Sequence, residues 1–138
     1  MPVTDPVLPP RARKVMIVDD HEEIRRSLAR LVGAWGHEVV VAENGDSALS
    51  LAATFQPEFV ILDLSLPKMN GVVLARRLRM VFPAGRLCII ALSGHVSGAV
   101  REACLAAGFD ECLSKPGGIE TLEGLLGDDR RIVDETPG

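Results

Sequence analysis

The sequence has no excess of positive charge, no long apolar run and no paired cysteines, and each gap removes a class of protein. Lysine and arginine total 15 against 19 aspartate and glutamate, a formal charge of −4. Nucleic-acid-binding domains usually carry a basic face, so DNA is not an expected partner. No apolar stretch approaches the roughly 20 residues that cross a bilayer, so no membrane is expected either. The opening Met1-Pro2-Val3-Thr4-Asp5-Pro6 lacks the basic start and apolar stretch of a signal peptide. Cys88, Cys104 and Cys112 form no C-x-x-C pair, and a reduced, cytoplasmic protein is the expectation that follows. What remains is a chain of 138 residues, 47% hydrophobic and 25% charged, the proportions of one soluble globular domain.

Its ends differ from its middle. Four of the first ten residues are proline, which forbids regular helix and predicts an extended arm over 1–13. From Gly127 the chain turns polar and reads as a tail, 127–138. The body is 14–126, without internal repeat or low-complexity segment.

Within the body, apolar runs of strand length alternate with segments of helical period. Val15-Met16-Ile17-Val18 is continuous and largely β-branched, as a strand buried on both faces should be. Ile24, Leu28, Leu31, Val32 and Trp35 then form one helical stripe that Gly36 stops. Val39-Val40-Val41, Phe59 to Leu62, Leu87 to Leu92 and Phe109 to Leu113 read as further strands. Each is followed by a helical pattern, through Ala48 and Phe55, Leu74 and Val81, Val100 and Ala107, and Ile119 and Leu126. Five βα units in a row predict an open, mostly parallel α/β sheet with helices on both faces. Periodicity does not order the strands.

In such sheets ligands bind beyond the carboxyl ends of the strands. Asp19 and Asp20 follow the first strand, Asp63 ends the third, Ser93 follows the fourth and Lys115 the fifth. Each has an ordinary use alone: Asp19 or Asp20 as a helix cap, Asp63 opening a turn with Pro67 and Gly71, Ser93 as a cap, Lys115-Pro116 as an exposed turn. Their collection at one edge is harder to explain that way. Two carboxylates about 4 Å apart repel by roughly 4 kcal/mol at an effective dielectric of 20. Three crowded together hold a proton or recruit a cation. With oxygen donors and no histidine or cysteine placed to join them, Mg²⁺ or Mn²⁺ is expected over zinc. Magnesium held by carboxylates commonly shares a phosphate oxygen, and Lys115 and Ser93 are suited to meet that group.

Val18-Asp19-Asp20, Leu62-Asp63-Leu64-Ser65-Leu66-Pro67-Lys68-Met69-Asn70-Gly71, Leu92-Ser93-Gly94 and Ser114-Lys115-Pro116 together resemble the receiver domains of two-component response regulators. The resemblance spans the body, with the motifs in order. It implies a flavodoxin-like doubly wound sheet of five parallel strands, order 2-1-3-4-5, with five flanking helices. It also implies a cis bond between Lys115 and Pro116. Asp63 would be the phosphoacceptor, taking a phosphoryl group from a histidine of a sensor kinase or phosphotransfer protein. Asp20, Asp63 and the backbone carbonyl of Ser65 would bind Mg²⁺ directly, with Mn²⁺ able to substitute, and Asp19 would act through a water. Lys115 would contact the phosphoryl oxygens. Ser93 would swing toward them and shift the face around the fourth helix. The expected protein is a stand-alone receiver that signals by contact with a downstream protein, not an enzyme.

The chain departs from that family's pattern in two places. Cys112 stands where an aromatic ring is usual, and there is no tyrosine anywhere, so a ring-flip readout is not available. Gly117-Gly118 predicts a loose entry to the last helix. A phosphorylation-independent binding module that keeps the acidic pocket is therefore an alternative reading. A haloacid-dehalogenase-type phosphatase needs a D-x-D motif after its first strand, where this chain has adjacent acids. A flavin carrier needs a Ser/Thr-rich phosphate loop there. Cys88 and Cys104 read as core, and Cys112 as core or edge filler, with a redox-sensitive thiol or an interface contact as its alternatives. His21, His37 and His95 are not at ligand spacing, and His21 is expected only to tune the field of the acids. Arg25, Arg26 and Arg30 are expected on a solvated helix face.

Overall fold

The computed structural model describes residues 12–64, 71–83, 85–94, 97–114 and 118–127. The expected extended arm and polar tail fall almost wholly outside them, as do Ser65, His95, Lys115 and the Lys115–Pro116 bond. Strands and helices alternate along the whole body. The elements are β1 (Lys14–Val18), α1 (Glu22–Ala34), β2 (Glu38–Ala42), α2 (Gly45–Phe55), β3 (Phe59–Asp63), α3 (Gly71–Val81), β4 (Cys88–Ser93), α4 (Gly98–Ala106), β5 (Glu111–Ser114) and α5 (Ile119–Leu126). All strand pairs are parallel, in the order β2-β1-β3-β4-β5. That is the flavodoxin-like order the resemblance implied.

Period-2 alternation divides the buried strand residues between two cores. Met16, Val18, Val60, Leu62, Ile89, Ala91 and Cys112 meet Ala48 and Ala52 of α2, Leu74, Ala75 and Leu78 of α3, and Cys104 of α4. Val15, Ile17, Phe59, Ile61, Cys88, Ile90, Leu92 and Leu113 face the other way, against Leu28 and Val32 of α1 and Leu122, Leu125 and Leu126 of α5. Each fully buried Leu, Ile or Phe contributes about 1.5–3 kcal/mol, which fixes β1, β3 and β4 at the centre. At the edge, β2 is only partly covered, and its Val41 is 40% exposed.

Local signals set the ends of the helices. Gly36, at φ +100°, closes α1 in a conformation that side chains avoid. Asn44 caps α2 by accepting from the Ser47 amide at 2.8 Å, and Ser97 caps α4 by accepting from the Val100 amide at 3.2 Å. The last strand begins at Glu111, two residues later than the expected Phe109. Phe109 is buried in the turn after α4, and Asp110 uses its carboxylate to accept from the Ile89 amide at 2.8 Å. The same oxygen takes Arg79 Nη2, while Arg79 Nε reaches the Gly108 carbonyl at 3.0 Å. This latch between α3, β4 and the approach to β5 leaves no periodic trace in the sequence.

Gly118, before α5, also differs from expectation, while Gly117 lies outside the described residues. Gly118 is buried, and a β-carbon on it would lie 2.7 Å from Leu113 Cβ and 2.8 Å from the Ser114 carbonyl. Its amide donates to that carbonyl at 2.7 Å. Gly118 therefore permits a close approach of chain to chain, where the sequence suggested freedom.

Candidate functional site

The carboxyl ends of β1 and β3, neighbours in the sheet, bring three acids together. The Asp19 amide donates to the Ala42 carbonyl at 3.1 Å, continuing the ladder one residue past β1 and holding its carboxylate at the sheet edge. Asp19 is only 2% exposed. Its Oδ1 accepts from the His21 amide at 2.9 Å, an Asx-type turn that folds residues 19–21 back before α1. Asp20, between them, is exposed. Asp63 is the last residue of β3, 5% exposed, in register with Leu92 of β4. Against its backbone packs Gly71, whose amide donates to the Leu64 carbonyl at 3.1 Å.

One donor atom each from Asp19, Asp20, His21 and Asp63 lies within 4.8 Å of all the others. The expectation that no histidine joins the acids is corrected here. The Asx-type turn carries the third residue of Asp19-Asp20-His21 alongside the first, so His21 Nδ1 lies 3.3 Å from Asp19 Oδ1, 3.3 Å from Asp20 Oδ1 and 4.0 Å from Asp63 Oδ2. The signal was present in the sequence as an acid two residues before a helix-opening histidine. Arg25 also leaves its expected solvated face: its Nη1 donates to the Asp19 carbonyl at 2.9 Å and fixes the turn from above.

Ser93 ends β4 one residue beyond the partner of Asp63 and pairs with Ser114 of β5. It thus stands one strand along from the acids, half-buried. Lys115 and Ser65 lie outside the described residues. The donor set suits a small divalent cation, since carboxylate oxygens are the preferred ligands of hard ions. Among the described residues the group has two buried members, Asp19 and Asp63, and two exposed ones, Asp20 and His21. A cleft of about 590 Å³ lined by Arg25, Val41, Ala42, Glu43 and α2 opens beside it rather than around it.

The response regulator receiver domain matches residues 15–126. The response regulator MprA of Mycolicibacterium vanbaalenii is 36% identical over 109 residues, 79% of this chain and 46% of that protein. The virulence sensor protein BvgS of Bordetella bronchiseptica is 36% identical over 126 residues, 88% of this chain and 10% of that protein. Among solved structures, chemotaxis protein CheY4 of Vibrio cholerae superimposes with a TM-score of 0.78 at 29% identity, covering 88% of this chain and 100% of that one. A response regulator from Burkholderia pseudomallei, solved with a phosphorylated aspartic acid, calcium ion and citrate, gives 0.75 at 32% identity over 83% of this chain and 66% of that one. The chain belongs to the response regulator receiver domain family of two-component systems. It spans just under half of MprA and about a tenth of BvgS. No helix among the described residues is long and apolar enough to cross a membrane.

Proposed function

We propose that the chain is a cytoplasmic phosphoryl-accepting switch in which Asp63 is the acceptor and a divalent ion, Mg²⁺ in the first instance, is held by Asp20, Asp63 and the carbonyl of Ser65, with Asp19 acting through a water. The observation that carries this reading is the convergence of the three carboxylates at the carboxyl ends of β1 and β3. A sensor histidine kinase or a phosphotransfer protein is the donor. An Asp63 carboxylate oxygen attacks phosphorus, the bond from phosphorus to the histidine nitrogen breaks, and the aspartyl phosphate forms. When bound, the divalent ion supplies positive charge against the phosphoryl oxygens. The buried position of Asp63 holds the nucleophile in one place. Lys115 then pairs with the phosphoryl oxygens, and Ser93 turns toward them with a hydroxyl hydrogen bond. The shift at Ser93 alters the α4–β5 face, which contacts a downstream protein.

Phosphorylation-independent binding is the second reading, favoured by Cys112. It is fully buried and its Sγ lies 3.1 Å from Cys104 Sγ, so no ring at this position can move inward. Beryllofluoride with Mg²⁺, a phosphoryl mimic, separates the two. Phosphoryl switching predicts amide shifts in the protein's NMR spectrum that extend from Asp63 through Ser93 into α4 and β5. Shifts confined to the acidic cluster favour the second reading.

A further inference from the structure

An all-oxygen set is what a hard-cation site needs, yet a ring nitrogen stands among these acids. His21 Nδ1 lies 3.3 Å, 3.3 Å and 4.0 Å from oxygens of Asp19, Asp20 and Asp63. Donors that share one ion at metal–ligand lengths of about 2.1 Å are separated by about 3.0–3.4 Å at adjacent positions and by at most about 4.2 Å across the ion. All three separations fall in that span. The ring makes a hydrogen bond with Asp19 Oδ1 at 3.3 Å, but that bond alone does not bring Nδ1 equally near Asp20 and within 4.0 Å of Asp63.

The geometry points to His21 as a direct ligand of the ion, giving a mixed nitrogen–oxygen site that favours Mn²⁺ and later first-row divalent ions over Mg²⁺. This rests on reading the acidic cluster as a metal site. Neutral imidazole carries its proton on either nitrogen, and the tautomer protonated at Nε2 presents the Nδ1 lone pair. Imidazole is a ligand of transition metals, while Mg²⁺ prefers oxygen and keeps its waters. Affinity along the first row rises from Mn²⁺ onward, so one nitrogen in an otherwise acidic set changes which ion is retained. The ring is 62% exposed, which leaves it room to adjust by the few tenths of an ångström that a bond to metal requires.

The experiment uses the full chain with Mn²⁺ and Mg²⁺ as probes. Pulsed electron paramagnetic resonance of the Mn²⁺ complex should show nitrogen modulation from one imidazole, and His21→Ala should abolish it. Calorimetric titration should show Mn²⁺ affinity falling at least about tenfold in His21→Ala, with Mg²⁺ affinity changed by less than about threefold. His21→Ser, which places a favoured helix cap before α1, should behave alike and separates loss of a ligand from loss of the helix end. Absent nitrogen modulation, or equal losses for the two ions, would overturn the inference while leaving the acidic site standing. Failure of the wild-type chain to bind either ion would overturn both.

Discussion

Gly71 presses on the backbone of Asp63. A β-carbon at this position would lie 2.9 Å from the Asp63 carbonyl oxygen, 2.9 Å from Leu64 Cα and 2.6 Å from Leu62 Cδ1. The first turn of α3 is thus seated directly on the strand end that carries the proposed acceptor. Gly71→Ala should lower stability by about 1–3 kcal/mol, the usual result of overfilling a packed site. It should also slow phosphoryl acceptance, because the atoms that must move belong to the acceptor's own backbone. Urea unfolding and the labelling rate with a small phosphodonor check the two effects. An unchanged rate with reduced stability would separate Gly71 from the site.

The latch at Arg79 predicts a purely structural loss. Asp110 Oδ2 satisfies both Arg79 and the Ile89 amide. Asp110→Ala leaves a partly buried guanidinium and an amide without this acceptor, at a cost of about 2 kcal/mol. Arg79→Met should cost less after Asp110→Ala than before it, a coupling that a double-mutant cycle in urea measures. Additive losses would mean that the two side chains act independently.

Stability should also depend on His37. Its Nδ1 accepts from the Arg13 amide at 3.0 Å. Its pKa lies below the ordinary 6.5, chiefly through burial and then through the Arg13 charge, with Glu58 opposing. The unfolded chain therefore takes up a proton at a higher pH than the folded chain does. The contribution is full above about pH 6.5 and is lost as pH falls through the lowered folded value. His37→Gln should flatten the stability change between about pH 7.5 and about pH 5.5, as measured by urea midpoints. An unaltered slope would exclude this residue as its source.

The thiols should be silent in the folded protein. All three cysteines are buried, and none is in a disulfide. Burial and a hydrogen bond with Cys112 push the Cys104 thiol up to about 12. Little Cys104 thiolate exists near neutrality, and the thiolate is the reactive form. A disulfide-exchange reagent should label no cysteine until urea unfolds the chain. Prompt labelling of Cys112 in the native state would restore the redox-thiol reading of that residue.

The parts of the molecule with a repeating burial pattern were legible from residues alone. β1, β3 and β4 are unbroken apolar runs, and the stripe of α1 ends at Gly36, because burial on two faces or one leaves periods of its own. The strand order came from the resemblance, since register and neighbour choice have no local signature. Asp19, Asp20 and Asp63 were legible as residues at strand ends. His21 was marked only by the acid two residues before it, since its approach depends on a side-chain-to-backbone turn at Asp19 that apolar spacing does not encode. Arg79 and Asp110 escaped notice for a related reason: they join elements 31 residues apart through carbonyls and an amide. Gly118 was misread because flexibility and tight packing both call for glycine, and only its neighbours distinguish them.

Covalent labelling at Asp63 is the most direct measurement. The wild-type chain and Asp63→Asn are incubated with a small phosphodonor and Mg²⁺, and their intact masses are compared with a chelator-treated control. One added phosphoryl group should appear in the wild type alone, and the chelator should suppress it. An equal gain of mass in Asp63→Asn, or none in the wild type, would contradict the assignment of Asp63 as the acceptor.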